Sequence, residues 1–253
     1  MLVRHGLRLL VAGLLLTGLT IGCEDNNQSF IILGNVVGVP QQAGPCTYAV
    51  DSTLVLRAGG TVDVSVRNNY IASLAVENQL ILRRDELNAR AETSYGVFRD
   101  AEVRMTDGAG NAVTSFTTPV TQNDVPPGAR RGIVFTPMVD PNLMNKLATE
   151  LKFGEARDYI SYVKLNGRTS GNKTIATDEF QYLIRVCRGC LVSFPAASRD
   201  PSIAKPNCKS TEAPEGDPPC SFGIDDRLDC RYCQGSAACD PCTTSSDPAC
   251  KNP

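Results

Sequence analysis

The sequence contains no tryptophan, and its only histidine is His5, near the N-terminus. We expect His5 to be removed with an export signal, which leaves a mature chain without histidine. That excludes Ser-His-Asp and Cys-His catalysis and every metal site that needs a histidine ligand. A carboxylate pair, a lysine base and an all-cysteine metal site stay open. Since no particular residues point to catalysis, we expect a protein that is not an enzyme and has no cofactor.

The sequence also lacks an excess of positively charged residues. The chain has 25 Lys and Arg against 27 Asp and Glu, a net charge of −2. Nucleic-acid binding needs a basic surface, so we predict no nucleic-acid partner. With no Trp and seven Tyr, the chain is also poorly supplied with aromatic platforms for stacking sugars.

The N-terminus has the three zones of a secretory signal. Arg4 and Arg8 supply positive charge, residues 9–21 form an apolar run, and the small residue Gly22 precedes Cys23. The run is too short for a membrane-spanning helix, which needs about 20 residues. We therefore predict a signal peptide over residues 1–22.

Residues 19–23 resemble the lipobox of bacterial lipoproteins, although Thr20 stands where that family usually has Leu. The resemblance implies that the thiol of Cys23 is acylated and that the membrane is contacted through this lipid. Because Glu24 follows the cysteine, the resemblance also implies delivery to the outer membrane of the cell envelope. The alternative is an ordinary secretory signal, with Cys23 in a disulfide.

Residues 46–190 are predicted to form a β-rich domain, joined to Cys23 by a tether over residues 23–45. A period of two places every second side chain on one face of a strand. Gly-, Pro- and Asn-rich turns separate the runs, for example at residues 107–111. The alternating residues are Val62, Val64 and Val66; Ala101, Val103 and Met105; and Phe180, Tyr182, Ile184 and Val186.

One helix is predicted between these strands. Asp140 suits its N-cap, Pro141 its first position and Gly154 its end. An apolar stripe recurs every four residues, at Leu143, Leu147 and Leu151. We expect this helix to pack on the core.

Short strands with regular turns predict a mainly β fold, an antiparallel β-sandwich with one short helix. Residues 103–117 resemble bacterial immunoglobulin-like repeats. Residues 159–190 are similar to the closing strands of sandwiches in uncharacterised exported lipoproteins of myxobacterial type. The resemblance implies an immunoglobulin-like sandwich followed by a Cys-rich tail, and no activity.

Residues 191–253 form a different kind of segment. They contain few large apolar residues, more than half of the 16 prolines and seven of the 11 cysteines. Such a segment buries too little apolar surface to offset its ordering entropy, so we predict an irregular tail held by disulfides.

Apart from Cys23, the cysteines form an even set that predicts disulfides in an exported chain. Since nine of them lie from Cys187 onward, complete pairing requires Cys46 to bond with one of the nine. We predict a bond from Cys46 to Cys187 or Cys190. The full set of disulfide candidates is Cys46, Cys187, Cys190, Cys208, Cys220, Cys230, Cys233, Cys239, Cys242 and Cys250.

Three pairs have C-x-x-C spacing: 187/190, 230/233 and 239/242. Redox catalysis is disfavoured for the first pair because it follows a strand rather than opening a helix. The other two pairs resemble zinc knuckles and give the alternative metal site Cys230, Cys233, Cys239 and Cys242. We prefer disulfides because the compartment is oxidising, and so predict no metal site.

Two groups of polar residues stand out besides the cysteines. Asp107 and Asn111 have oxygens for calcium but lack a further carboxylate, so a turn is preferred. Asp225, Asp226 and Asp229 form an acidic group in the tail, and a solvated loop is preferred over a cation site.

The favoured function is a non-enzymatic binding, adhesion or structural module of the envelope, with an envelope protein or surface glycan as partner. Its binding loops are predicted at residues 84–95 and 118–131. The alternatives are a Cys-rich zinc or redox protein and a carboxylate-based cell-wall or glycan hydrolase.

Overall fold

The computed structural model describes residues 29–41, 44–81, 94–121, 124–200, 207–208, 212–214, 216–235 and 238–239. The predicted signal peptide, Cys23, Cys242, Cys250 and most of the loop 84–95 lie outside these residues. No helix within the described ranges is long and apolar enough to cross a membrane.

The chain is built mainly from strands, which confirms the predicted mainly β class with one α-helix in the described residues. In chain order the elements are β1 (Phe30–Val36), β2 (Gly38–Gln41), β3 (Gly44–Tyr48), β4 (Leu56–Arg57), β5 (Gly59–Asp63), β6 (Ile71–Asn78), β7 (Gly96–Asp107), β8 (Ala112–Pro119), β9 (Asp124–Val125), β10 (Arg130–Pro137), α1 (Pro141–Glu150), β11 (Ala156–Thr169), β12 (Thr174–Ala176), β13 (Phe180–Cys187), β14 (Val192–Ser193) and β15 (Leu228–Asp229).

The strands form two large sheets. The smaller sheet has the order β10-β6-β1-β4, and all its pairs are antiparallel. The larger sheet has the order β5-β13-β11-β7-β8, with β12 beside β11 and β9 beside β7. Its pairs are antiparallel except β5–β13, which is parallel, and this pair departs from the all-antiparallel sandwich that was predicted. The immunoglobulin-like connectivity stays a prediction.

One apolar core lies between the two sheets. Phe30 of β1 meets Phe98 of β7 edge to face, with ring centroids 5.5 Å apart. The predicted alternation is confirmed in β7 and β13, where the inward side chains are buried and those between them are more exposed. The buried members of these two strands include Phe98, Ala101, Val103, Met105, Tyr182, Ile184 and Val186.

The predicted strand over residues 61–66 ends early. β5 stops at Asp63, whose side chain accepts a hydrogen bond from the backbone N–H of Ser65 at 3.0 Å. The N–H groups of Val66 and Arg67 both donate to the carbonyl oxygen of Asp63. An aspartate that bonds the backbone two residues ahead initiates a turn, so the chain leaves the sheet at this point.

The tether predicted over residues 23–45 does not hold for its second half. β1 is an interior strand of the smaller sheet, paired with β6 on one side and β4 on the other. β2 and β3 pair with each other. A second apolar cluster on the outer side of the smaller sheet includes Tyr48 of β3 and Phe135 of β10, with ring centroids 5.2 Å apart. The run Phe30-Ile31-Ile32-Leu33 supplies the apolar residues that a tether would not need.

The helix begins as predicted and ends earlier. The side chain of Asp140 accepts from the N–H of Asn142 at 2.9 Å, and Pro141 is the first helical residue. Leu151 is already extended, with φ −73° and ψ 135°. Gly154 does not end the helix: it lies with φ +85° in the turn before β11, and its N–H donates to the carbonyl oxygen of Arg188. Met144, Leu147 and Leu151 are buried in the core.

Four disulfides join cysteines of the described residues. They are Cys46–Cys220, Cys187–Cys190, Cys208–Cys230 and Cys233–Cys239. The prediction that Cys46 bonds one of the nine cysteines from Cys187 onward is confirmed, but the predicted partner, Cys187 or Cys190, is wrong. Cys46 lies on β3, outside the smaller sheet, whereas Cys187 ends β13 of the larger sheet, so the bond is made instead to the tail.

The tail packs back onto the larger sheet. The N–H of Asp63 donates to the carbonyl oxygen of Gly223, and the N–H of Asp225 donates to that of Thr61. Residues 223–225 therefore lie along the outer edge of β5. A small cluster of Val192, Cys208, Cys230, Ala238 and Cys239 forms a separate core around two of the disulfides. This small core fits the prediction that disulfides hold the tail.

The Cys46–Cys220 bond closes a loop with a sequence separation of 174, against 6 for Cys233–Cys239. Because the loop-closure entropy grows with loop length, we expect Cys46→Ala/Cys220→Ala to lower the free energy of unfolding by about 5 kcal/mol. Cys233→Ala/Cys239→Ala is the matched control, with an expected loss of about 2 kcal/mol. Urea unfolding without reductant measures both, and a larger loss in the control pair would contradict the prediction.

Candidate functional site

A cluster of polar side chains is buried where the two sheets and the tail meet. Asn35 of β1 donates to the hydroxyls of Tyr70 and Tyr182 at 2.9 and 3.0 Å. The carbonyl oxygen of the Asn35 side chain accepts from the N–H of Ser73 at 2.8 Å. The Tyr70 hydroxyl donates to Asp225 Oδ2 at 3.0 Å. We call Asn35, Tyr70, Tyr182 and Asp225 the buried polar cluster.

Asp225 is the charged member of this cluster, and the tail supplies it. Its side chain is only 10% exposed. The N–H of Thr61 donates to Oδ1 at 2.8 Å, and Arg57 Nε lies 3.4 Å from Oδ2. The residue has a φ of 62°, in the left-handed region that aspartate tolerates better than most residues. This conformation lets both its backbone N–H and its carboxylate face Thr61.

Burial governs the electrostatics of the cluster. It raises the pKa of the Asp225 carboxyl, while the Thr61 N–H, Arg57 and Tyr70 act in the opposite direction. Burial also raises the pKa of the Tyr70 and Tyr182 hydroxyls, so both stay protonated and able to donate at neutral pH. The adjoining cavity has a volume of about 30 Å³, enough for one water but not for an organic substrate.

The predicted acidic group of the tail is dispersed by the fold. Asp225 points into the buried polar cluster, and Asp226 pairs with Arg57 at 2.7 Å. Asp229 pairs with Arg231 at 2.8 Å and accepts from the Arg231 N–H at the start of the 3-10 helix Cys230–Cys233. These acids therefore hold the tail together and do not converge on one cation site.

The predicted turn at Asp107 has the geometry expected of a turn. Asp107 Oδ1 accepts from the N–H groups of Ala109 and Asn111, and Oδ2 accepts from the Asn111 side chain at 3.0 Å. The hydrogen bond from the Asn111 side chain lowers the pKa of the Asp107 carboxyl. Gly110 has a φ of +87°, which the tight β7–β8 hairpin requires.

The alternative zinc site does not form in the structure. Cys230 is bonded to Cys208, and Cys233 to Cys239. Three of its four proposed ligands are thus not free thiolates, which zinc needs. The fourth, Cys242, lies outside the described residues. The spacing of the cysteines could not reveal this, because the pairing depends on Cys208, twenty-two residues before Cys230.

Asp63, Cys187 and Cys190 form a cluster that sequence reasoning missed. Their oxygen and sulfur atoms lie within 4.8 Å of one another, close enough to share a metal ion. The two sulfurs are bonded to each other, however, and both oxygens of Asp63 accept hydrogen bonds from the backbone. The residue Asp63 could not be found from the sequence because it lies far from the two cysteines along the chain.

The outer face of the larger sheet carries a shallow polar groove. The strand register places Arg104 between Ser115 and Tyr162, and Glu102 between Thr117 and Lys164. Glu179 also lines the groove, which has a volume of about 410 Å³. We call Glu102, Arg104, Ser115, Thr117, Tyr162, Lys164 and Glu179 the sheet groove.

Arg104 is the central residue of the sheet groove. Its guanidinium carbon lies 3.9 Å from the centre of the Tyr162 ring. The same group forms an ion pair with Glu179, from Nη2 to Oε2 at 3.0 Å. Alternation in β7 predicts that Arg104 faces outward, but its partners depend on the register with β8 and β11, which the sequence does not reveal.

The predicted binding loops contribute little to these sites. Residues 84–93 lie outside the described part of the chain. Within residues 118–131, Asp124 and Val125 form β9, which pairs with Gly96 and Val97 of β7. Arg130 and Arg131 begin β10 and pair with β6, so the described part of this segment is tied to both sheets.

Comparisons with known proteins give no family. No family model matches the chain, and no curated protein matches it. Among solved structures, the solution structure of a putative late embryogenesis abundant (LEA) protein is similar, with 14% identity and a TM-score of 0.30. The match covers 51% of this chain and 71% of that chain. A likeness this low carries no argument about function.

The raised pKa of Asp225 predicts a pH dependence of stability. The folded state binds its proton more tightly than the unfolded state, whose pKa is near the ordinary value of 3.8. Its contribution to the free energy of unfolding is therefore full below that value and is lost as pH rises through the folded pKa. We expect the stability difference between wild type and Asp225→Asn to shrink with rising pH, as measured by urea unfolding from pH 3 to 8.

Asp158→Asn is the matched control for this experiment. A hydrogen bond from Arg185 lowers the pKa of the Asp158 carboxyl, so the sign is opposite. Its contribution is present above the unfolded pKa and is lost as pH falls. If both substitutions changed the pH profile in the same direction, the assignment of Asp225 as the buried group would be wrong.

Proposed function

We propose that the chain is a lipid-anchored envelope protein that acts as a non-enzymatic binding module. The observation that carries the proposal is the set of four disulfides in the described residues. Disulfides of this density are typical of exported proteins, because the cytosol keeps thiols reduced. Export in turn supports the interpretation of residues 1–22 as a signal peptide and of Cys23 as the lipidated residue.

The buried carboxylates support a role without catalysis. Asp63 accepts hydrogen bonds from the N–H groups of Ser65, Gly189 and Leu191. Asp225 is bound by Thr61, Tyr70 and Arg57. A general acid or base needs room for a substrate beside it, whereas these two groups hold segments of the chain together. The hydrolase alternative would need a second acid facing Asp225 across a space large enough for a substrate. The neighbouring acid, Asp226, is paired with Arg57 at 2.7 Å, and the cavity beside the two carboxylates has a volume of only about 30 Å³.

The sheet groove is the surface that best fits a binding role. It presents cationic Arg104 and Lys164 beside anionic Glu102 and Glu179, with the Tyr162 ring against the Arg104 guanidinium. Hydroxyls of Ser115 and Thr117 add donors and acceptors along the edge strand β8. Such a surface suits a polar partner with both donors and acceptors, namely a surface glycan or the polar face of an envelope protein.

Lipidation is tested by expressing the full chain in its own bacterium and analysing the N-terminal peptide by mass spectrometry. We expect a peptide that begins at Cys23 and carries acyl mass. Cys23→Ser is expected to accumulate unprocessed and without acyl mass, because the thiol is the acceptor of the lipid. An unmodified Cys23 in a disulfide would instead support an ordinary secreted protein.

Binding is tested with purified surface polysaccharide and, separately, with envelope membranes from the same bacterium. We expect Tyr162→Ala to weaken co-sedimentation about tenfold, since aromatic residues carry much of the energy at interfaces. Lys146→Ala removes an exposed cation on α1, outside the groove, and is the matched control. Equal binding by wild type and Tyr162→Ala would show that the groove is not the binding surface.

A further inference from the structure

The two sulfurs of the Cys187–Cys190 disulfide lie in different surroundings. Cys187 ends β13 and is fully buried, whereas Cys190 is exposed. A thiolate attacks a disulfide along the line of the S–S bond, so access to one sulfur decides which bond forms. Solvent access therefore favours attack at Cys190, with Cys187 as the leaving sulfur. By contrast, both sulfurs of Cys208–Cys230 belong to buried residues.

Asp63 holds the loop between the two cysteines independently of the disulfide. Its Oδ1 accepts from the N–H of Gly189 at 2.8 Å, and its Oδ2 accepts from the N–H of Leu191 at 3.0 Å. These N–H groups flank Cys190 on both sides. The carboxylate therefore keeps the Cys190 backbone in place when the covalent bond is opened.

Neighbouring strands fix the other half of the loop. The carbonyl oxygen of Cys187 accepts from the N–H of Val64 at 2.8 Å. In the turn before β11, the carbonyl oxygen of Glu155 accepts a hydrogen bond from the N–H of Arg188 at 3.0 Å. The N–H of Gly154 donates to the carbonyl oxygen of Arg188 at 2.7 Å. Because these bonds do not involve sulfur, reduction leaves the two cysteines facing each other.

The bond adds little to the stability of the chain. Its sequence separation is 3, against 174 for Cys46–Cys220 and 22 for Cys208–Cys230. The entropy that a disulfide removes from the unfolded chain increases with loop length, so this bond contributes least of the three. A bond that is exposed at one end, contributes little to stability and lies in a loop held by other contacts suits reversible opening.

We propose that Cys187–Cys190 is a thiol–disulfide exchange site at which a dithiol of a partner protein attacks Cys190. The first partner thiolate forms a bond to Cys190 Sγ, and the bond to Cys187 Sγ breaks. The second partner thiolate then attacks the partner sulfur that is bonded to Cys190 Sγ. This step releases the Cys190 thiolate and forms the partner's disulfide. The partner is oxidised by two electrons, the Cys187–Cys190 pair is reduced, and the two thiol protons of the partner end on Cys187 and Cys190.

The reverse reaction uses the same geometry. Since the loop stays closed by its backbone bonds, the two thiols remain at high effective concentration, and reoxidation by a disulfide partner is fast. The exposed Cys190 is again the residue that bonds the partner, and the buried Cys187 resolves the mixed disulfide. The site therefore exchanges electrons without unfolding the sheet.

The first test uses the full wild-type chain in mild detergent with increasing dithiothreitol. At each step, free thiols are alkylated and the peptides are mapped by mass spectrometry. We expect Cys187 and Cys190 to be alkylated about tenfold faster than Cys208 and Cys230, with an unchanged circular dichroism spectrum, and to reoxidise fully after the reductant is removed. Reduction of all disulfides together, or only with loss of the spectrum, would overturn the proposal.

A second test separates the two cysteines and does not depend on reduction. Cys187→Ser leaves Cys190 as a single thiol, and Cys190→Ser leaves Cys187. We expect the exposed thiol of the first variant to react with a small aromatic disulfide at least about tenfold faster than the buried thiol of the second. Equal rates, or faster reaction of Cys187, would contradict attack at Cys190. Thermal unfolding of both variants establishes that the comparison is made on folded chains.

Discussion

The insertion of the Asp225 carboxylate between the two sheets is the contact on which the arrangement of the C-terminal part depends. A buried carboxylate is costly unless it is paired and hydrogen-bonded. Thr61, Tyr70 and Arg57 supply those partners from three different segments. These three groups therefore satisfy the buried carboxylate at the edge of a core that is otherwise apolar. Asn35 of β1 then donates to the hydroxyls of Tyr70, which directly precedes β6, and of Tyr182 on β13 of the larger sheet.

This contact changes how the chain divides into domains. The sequence suggests a β-rich domain that ends near residue 190 and a tail with little core of its own. In the structure, residues 223–225 lie along β5, and an isolated bridge joins Val62 to Ile224. An uncovered strand edge is a site of unwanted pairing, and the tail covers this one. The described tail is thus part of the larger sheet's packing.

Local sequence patterns predict several strands and the helix. They do not predict which residues distant in the sequence become partners. Alternation in β7 and β13 predicts their buried faces because the period of a strand is a local property. The cap at Asp140 is likewise local. The partner of Cys46 depends on where the β2–β3 hairpin lies. The polar and Gly-rich residues around β1 predict a tether, because the pairing of β1 with β4 and β6 is not visible in the local sequence.

The candidate sites likewise combine features that local spacing predicts with contacts that depend on long-range strand pairing. The C-x-x-C pair at Cys187 was visible from its spacing, but the exposure of Cys190 and the contact with Asp63 depend on the parallel pairing of β5 with β13. The sheet groove depends on the register between β7, β8 and β11. Nothing in the order of residues indicates which outward side chains become neighbours, because a shift of one residue would turn every side chain to the other face.

The Cys46–Cys220 bond also determines how the molecule responds to mechanical load. A pull on the two ends of the chain passes from β3 directly to the tail through a covalent bond, and the 174-residue separation between them is bypassed. The chain from β5 to β13 lies inside that bypassed loop, so the force reaches the larger sheet only through noncovalent contacts such as those of residues 223–225 with β5. Only β1 and β2, before Cys46, and the segments beyond Cys220 are extended by the force. The larger sheet is therefore shielded from shear, as long as the Cys46–Cys220 disulfide stays oxidised.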